Sequence, residues 1–178
     1  MTEQEIRQAV LDNIATRRSV RKFKPDAVPK AAIETICEAG LQAASGMNTQ
    51  SAIIVAVTDK TMRDKIAAAN AEIWGKSSDP FYGAPVILAV LADATWRNRV
   101  YDGSLALGNM MLAAHALGLG TCWIHRAKQE FEQEEWKAWL RSLGVEREYE
   151  GIGHLALGYP DVNELKAPAR KPNRLFWC

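Results

Sequence analysis

Five cations crowd the stretch from residue 17 to 24: Arg17, Arg18, Arg21, Lys22 and Lys24. In an extended segment alternate side chains share a side, so Arg17, Ser19 and Arg21 would point together. Two guanidinium groups and a hydroxyl converging there suit a phosphate or a polyhydroxyl chain, because a guanidinium presents a planar fork of donors to anionic oxygens. Alone, the cluster reads more readily as a solvated basic turn. A second basic pair, Arg170 and Lys171, stands between Pro168 and Pro172 and gains meaning only if the fold brings the two groups together. Ser45, Asn48 and Gln50 form a third polar group at a helix end, where C-cap and turn chemistry explain them as well as function does.

Other chemistries find little support. Gly151-Ile152-Gly153-His154-Leu155-Ala156 matches a GxGxxA string. Dinucleotide binding needs a strand before such a string and a helix opening at it, whereas this one runs into a strand and Pro160. There is no Walker A lysine motif and no GxSxG elbow. His115, His125 and His154 have no Ser/Asp constellation, and a lone histidine on a buried helix, such as His115, is usually a satisfied core or interface residue. Cys37, Cys122 and Cys178 are odd in number and lack a CxxC pair, which fits a reducing cytoplasm. No Cys/His cluster has zinc spacing, so no metal is expected. Cys37 falls on an apolar helix face and reads as a small core residue.

The elements that must position these groups are legible from periodicity. Thr2 and Glu5 make a capping-box pattern ahead of Ile6, Ala9, Val10 and Ile14, predicting a helix to about Ala15. Ile33, Ile36, Cys37, Gly40, Leu41 and Ala44 mark a second helix, stopped by Ser45 to Asn48. Ile53 to Val57 and Val86 to Leu91 read as buried strands, with a third helix from Asp59 to about Asn70 between them. Trp74 to Gly83 is a loop. The segment Asp102 to Leu117 is apolar on most sides and predicts a helix buried in a core or a dimer interface. Thr121 to Ile124 and His154 to Leu157 are two more strands. Between them, Glu130 to Leu143 predicts one amphipathic helix with Trp136, Trp139, Leu140 and Leu143 inward, stopped by Gly144. The tail from Asp161 has no clear periodicity.

The whole chain bounds the class of protein. Its 178 residues, 48% hydrophobic and 24% charged, are enough for one well-buried core and argue against disorder. A formal net charge of +1 argues against a broad nucleic-acid surface. No run of about 18 apolar residues is free of charge, so no membrane span is expected. The acidic opening Met1-Thr2-Glu3-Gln4-Glu5 carries no secretory pattern, and the expectation is a soluble, cytoplasmic, single-domain protein spanning 1–178.

Taken in order, several stretches resemble one family. Arg17-Arg18-Ser19-Val20-Arg21-Lys22-Phe23 looks like the N-terminal signature of the FMN-dependent nitroreductases. Ala44-Ser45-Gly46-Met47-Asn48-Thr49-Gln50 resembles that family's PSGMNTQ turn, and Gly83-Ala84-Pro85-Val86 its lead into a central strand. Asp102-Gly103-Ser104 through Leu117-Gly118-Leu119-Gly120-Thr121-Cys122-Trp123-Ile124 resembles its central helix and the strand after it. Leu155-Ala156-Leu157-Gly158-Tyr159-Pro160, with Arg170-Lys171-Pro172, resembles its closing segment. Each stretch is weak alone; the ordered set spans nearly the whole chain.

The resemblance implies an α+β fold, a central mixed β-sheet flanked by helices. It also implies a domain-swapped-type homodimer with FMN at the subunit interface and a tail, about 161–178, that extends over the partner. Carried over by position, Arg17 and Arg170 would hold the FMN phosphate, with Lys171 a weaker candidate. Ser19 would touch the phosphate or ribityl chain, Arg18 would bind from the same signature, and Arg21 would approach the pyrimidine edge. Ser45 and Asn48 would reach the flavin of the other subunit. Trp123, Ile124 and His125 would lie along the isoalloxazine face, with a backbone N–H near His125 aimed at N5. Three departures stand out: Ala44 for a proline, Ser51-Ala52 for Pro-Trp, and His125-Arg126 where a glycine is common.

The implied activity is ping-pong: NADH or NADPH reduces FMN at N5, and a nitroaromatic, quinone or related electrophile is then reduced in the same pocket. Arg21 would stabilise the negative charge that two-electron reduction places near N1 and C2=O. Alternatives are a flavin storage or sensor module without turnover, and a dehalogenase-like or enone-reductase-like member of the superfamily.

Overall fold

The computed structural model describes residues 1–162 and 165–178. Six helices and four strands follow the expected order. They are α1 (Glu3–Thr16), α2 (Lys30–Leu41), β1 (Ala52–Val57), α3 (Lys60–Trp74), β2 (Val86–Asp93), α4 (Arg99–Ala116), β3 (Gly120–Ile124), α5 (Ala127–Phe131), α6 (Glu134–Ser142) and β4 (Tyr149–Gly158). The four strands pair antiparallel in the order β1-β2-β4-β3. A parallel contribution comes from the segment before α2, where Ser19 bridges Thr121 beside β3.

β2 explains why the sheet sits in the middle. Seven of its eight residues are buried, because alternate side chains feed two different cores. Ile87, Ala89 and Leu91 pack with Ile66 of α3, Phe131 of α5 and Trp136 and Leu140 of α6. Val86, Leu88 and Val90 pack with Ile33 and Ile36 of α2 and Ala106, Leu107 and Met110 of α4. The α+β architecture is therefore a sheet between two helical layers. The Thr2 capping box starts α1 as expected.

Some elements differ from their sequence reading. The helix expected over 130–143 is two helices, α5 and α6. Phe131 and Leu140 would lie about half a turn apart on one straight helix of 3.6 residues per turn. The break at 132–133 lets both enter the core. Glu130 is thereby buried rather than an acid of a solvated first turn, and Leu143 is exposed rather than inward. α2 ends at Leu41, and Leu41 and Ala44 are exposed. β1 is half-buried rather than buried, since it is the sheet's outer strand. α3 runs four residues past Asn70. The tail expected to run extended from Asp161 includes residues 163–164, which lie outside the described residues; from Leu165 onward it is exposed and forms no helix or strand.

The GxGxxA string falls inside β4, where its glycines serve close packing. A Cβ on Gly151 would sit 2.3 Å from the Ala127 carbonyl oxygen, and one on Gly153 would sit 2.4 Å from Nε1 of Trp123. Backbone cannot yield as a side-chain tip can, so Gly151→Ala should push α5 off the sheet. The expected cost is about 2–3 kcal/mol, read as a lower denaturant midpoint at unchanged slope.

Two apolar faces find no cover within the chain. α1 buries none of its residues, leaving Ile6, Val10, Leu11 and Ile14 exposed. α4 buries Ala106, Leu107 and Met110 but exposes Val100, Tyr101 and Leu105. Among the described helices none is long and apolar enough to cross a membrane.

Candidate functional site

The segment after α1 is laid beside β3 by the Ser19–Thr121 bridge and by the Val20 N–H, which donates to the Thr121 carbonyl at 2.8 Å. Gly120 permits this approach, because a Cβ there would lie 2.7 Å from Cγ2 of Val20. Val20 is buried, which turns its neighbours of opposite parity the other way. Cys122 of β3 lies within the influence of this segment. Burial raises that thiol's pKa, while Arg21, a hydrogen bond with Ser19, and Arg17 all act to lower it.

A cavity of ≈ 310 Å³ opens where this segment meets the C-terminal end of α4. Arg17, Arg18, His115, Gly118, Gly120 and Thr121 line it. Nη1 of Arg17 and Nε of Arg18 are each buried and have no hydrogen-bond partner among the described residues. Arg18 is partly explained as a cap, since its Nη1 donates to the carbonyls of Ala15 (2.8 Å) and Arg17 (2.7 Å). The Arg17 side chain has no hydrogen bond or ion pair among the described residues. An unpaired buried guanidinium donor costs on the order of 1–3 kcal/mol, which an anionic oxygen in the cavity would recover. The donor set therefore fits a phosphate.

His115 borders the same cavity and shares a 2.9 Å hydrogen bond with the Thr16 hydroxyl. Its pKa is lowered by burial first and then by Arg17 and Arg18, so the ring is neutral near pH 7. Nothing local in sequence marks His115 as a neighbour of the basic segment, since it lies 99 residues from Thr16.

A larger cavity, ≈ 470 Å³, lies between Pro25, Val28, Thr58, Gly83 and Pro85. It holds none of the expected site residues. Its buried cation, Arg63, is already committed to Asp79, Asp64 and the Ala84 carbonyl. Size favours this cavity, but unspent donors favour the smaller one.

Not every expected residue meets there. Arg170 and Lys171 are exposed on the tail and do not line the cavity, so a single chain does not close the two basic groups into one clamp. Arg21 is exposed beyond it. Trp123 and His125 are exposed at the end of β3, but Ile124 is buried in the core, which leaves only its backbone for a ligand.

Ser45 and Asn48 stand in a separate turn with three non-glycine residues at positive φ: Met47 (54°), Asn48 (55°) and Gln50 (50°). Such backbone persists only where its surroundings over-determine it. Ser45 Oγ accepts from the Gln50 N–H at 3.0 Å. Asp102 of α4 does the rest. Its buried carboxylate accepts from the Gly46 N–H (2.9 Å), the Ser51 hydroxyl (2.7 Å) and the Trp96 indole (2.9 Å). Burial works to raise its pKa, but the bonds from Gly46, Ser51, Trp96 and Thr49 outweigh this and hold the carboxyl below its usual range. Asp102 marked only the start of a helix in the sequence; its role needed the turn brought to it.

The turn after β3 carries a third unusual backbone. Arg126 has φ 79°, the left-handed region that favours the glycine common at this position. Its guanidinium lies over the Trp74 ring at 4.8 Å and its Nε donates to Asn70 Oδ1 at 3.0 Å.

Comparison with known proteins identifies the family. A sequence model of the Nitroreductase family matches residues 14–79 and 68–159. The chain belongs to that family. A Methanothermobacter thermautotrophicus protein whose name joins NADH dehydrogenase and NAD(P)H nitroreductase is 29% identical over 175 residues, covering 93% of this chain and 85% of its own. The NADPH-flavin oxidoreductase of Vibrio harveyi is 28% identical over 164 residues, covering 86% and 66%. Among solved structures, a Bacteroides fragilis nitroreductase with bound FMN superposes with a TM-score of 0.86 at 28% identity, covering 95% of this chain and 98% of that one.

Proposed function

We propose that the protein is an FMN-dependent NAD(P)H oxidoreductase that reduces a nitroaromatic, quinone or related electrophile by a ping-pong sequence. The observation that carries the reading is the buried, unpartnered Nη1 of Arg17 in a cavity bordered by Arg18 and Thr121. Membership of the family, and relatives named for NAD(P)H and flavin chemistry, support it.

FMN, when bound, would supply the hydride chemistry that links NADH or NADPH to the acceptor. The chain supplies binding and electrostatics. Arg17, Arg18 and Ser19 hold the phosphate, and Arg21 faces the pyrimidine edge, where its charge favours electron density on the ring. The backbone N–H after His125 is offered to N5. Trp123 and His125 border the ring, with the Ile124 backbone between them. Arg170 and Lys171 complete the phosphate site once the tail is ordered by a second copy.

That second copy is part of the proposal. The uncovered apolar residues of α1 and α4, together with exposed Leu175, Phe176 and Trp177 in the tail, form a surface that a homodimer would bury. The turn at 45–48 would then reach the partner's flavin.

Anaerobic mixing tests the reading. Purified protein should be yellow, and NADH or NADPH should bleach its flavin band within the enzyme's turnover time, with the colour returning on addition of a nitroaromatic or quinone. Bound flavin that neither donor bleaches would instead mark a storage or sensor protein.

A further inference from the structure

Arg126 occupies a backbone conformation that L side chains rarely adopt, at the turn where β3 gives way to α5. Asn70, fully buried at the far end of α3, holds that turn from two directions. Its Nδ2 donates to the His125 carbonyl at 3.0 Å, and its Oδ1 accepts from Arg126 Nε at 3.0 Å. One amide thus holds the carbonyl of the 125–126 peptide and the side chain of the residue that follows it. Behind it, Nδ2 also lies 3.3 Å from Glu130 Oε2, which is 2.8 Å from Nε2 of the buried His154. On the outer side, the Arg126 guanidinium is held over Trp74.

The grip fixes a direction as well as a conformation. The peptide bonds are trans, so the Arg126 N–H points opposite to the His125 carbonyl. That carbonyl points to buried Asn70, so the N–H points away from it. It donates to no backbone or side-chain acceptor among the described residues. A glycine at position 126 would adopt this turn unaided. An arginine there needs something to hold it.

We infer that Asn70 is a positioning residue: with Arg126 and Trp74 it forms a clamp that keeps the 125–126 peptide N–H presented to the flavin, in place of the glycine that would do so by conformation alone. The inference rests on the FMN-oxidoreductase reading above. It concerns residues on α3 and in the turn between β3 and α5, which do not line the cavity assigned to the phosphate.

The test is a rescue. Asn70→Ala should retain FMN within about fivefold of wild-type affinity, because the phosphate contacts lie at Arg17 and Arg18. Its flavin absorption should shift towards that of free FMN, and NAD(P)H should bleach it about tenfold more slowly. Adding Arg126→Gly to that variant should return both the spectrum and the rate to within about twofold of wild type, since glycine holds the turn without the clamp. Urea midpoints of each variant, including Arg126→Gly alone, separate a general change in stability from a local change at the turn. Asn70→Asp, which preserves shape and the Arg126 contact but removes the donor to the His125 carbonyl, should show the same shift and carries the test if the alanine variant does not fold. A wild-type spectrum and rate in the Asn70 variants, or failure of Arg126→Gly to restore them, overturns the clamp while leaving the oxidoreductase reading intact. Wild-type protein that binds no FMN, or binds it without being bleached, overturns the oxidoreductase reading and the clamp's purpose with it.

Discussion

Arg17→Ala will weaken FMN binding by about a hundredfold or more. A guanidinium–phosphate fork makes charge-assisted bonds of about 1.5–3 kcal/mol each, and a tenfold change in affinity corresponds to about 1.4 kcal/mol. Arg17 can make two such bonds, because its side chain has no competing partner among the described residues and its Nη1 is already desolvated. Arg18→Ala should cost less in affinity and something in stability, since one of its Nη atoms is engaged at the Ala15 and Arg17 carbonyls. Arg170→Ala should fall between no effect and the Arg17 effect, according to how firmly a second subunit orders the tail. Fluorescence titration of FMN with the apoproteins gives the three values. An Arg17→Ala protein that binds FMN as tightly as wild type would remove the phosphate assignment.

Asp102→Ala will destabilise the fold by about 3 kcal/mol or more. The side chain is 4% exposed and three donors converge on it: the Gly46 N–H, the Ser51 hydroxyl and the Trp96 indole N–H. Removing the acceptor leaves these donors desolvated, at about 1–3 kcal/mol for each that water cannot reach. It also releases the turn whose Met47, Asn48 and Gln50 hold positive φ. The pH dependence has a definite sign. The folded pKa lies below the unfolded value, so the carboxylate's contribution is complete above about pH 4 and is lost as pH falls through the folded value. Asp102→Asn keeps the shape but turns one acceptor into a donor, so it should lose part of the stability and most of the acid dependence. Urea midpoints of the three proteins at pH 7 and at about pH 3, below the ordinary carboxylate value, separate these effects. Equal midpoints for wild type and Asp102→Ala would show that the turn needs no such anchor.

Local signals carried the fold further than the site. The capping box at Thr2 and the alternation-free run of β2 are each set by neighbours in sequence and appear as expected, and Ile33, Ile36 and Gly40 of α2 are buried as its pattern implies, though Leu41 and Ala44 are not. The helix over 130–143 was misread because polarity was the only clue to Glu130. Its carboxylate is buried against His154, 24 residues away on β4, and nothing local marks that pairing. The site divides the same way. Arg17 and Arg18 are adjacent in sequence, so a basic group here was legible, but Ser19 and Arg21, expected on the side of Arg17, do not line the cavity that Arg17 and Arg18 border. His115, Asp102 and Asn70 act through residues about 50 to 100 positions distant, and side-chain type alone does not say which distant turn an acid or amide will meet. Arg126 lies between: its departure from glycine was visible in the sequence, but its left-handed backbone and the amide that holds it were not.

The central claim is that a flavin is held here through its phosphate by Arg17 and its neighbours. Titrating the apoprotein with FMN and with riboflavin tests it most directly, because the two ligands share the ring and ribityl chain and differ only in that group. The account predicts a preference for FMN of about a hundredfold or more, collapsing to a few-fold in Arg17→Ala. Equal affinity of the wild-type protein for the two ligands, or no binding of either, would contradict it.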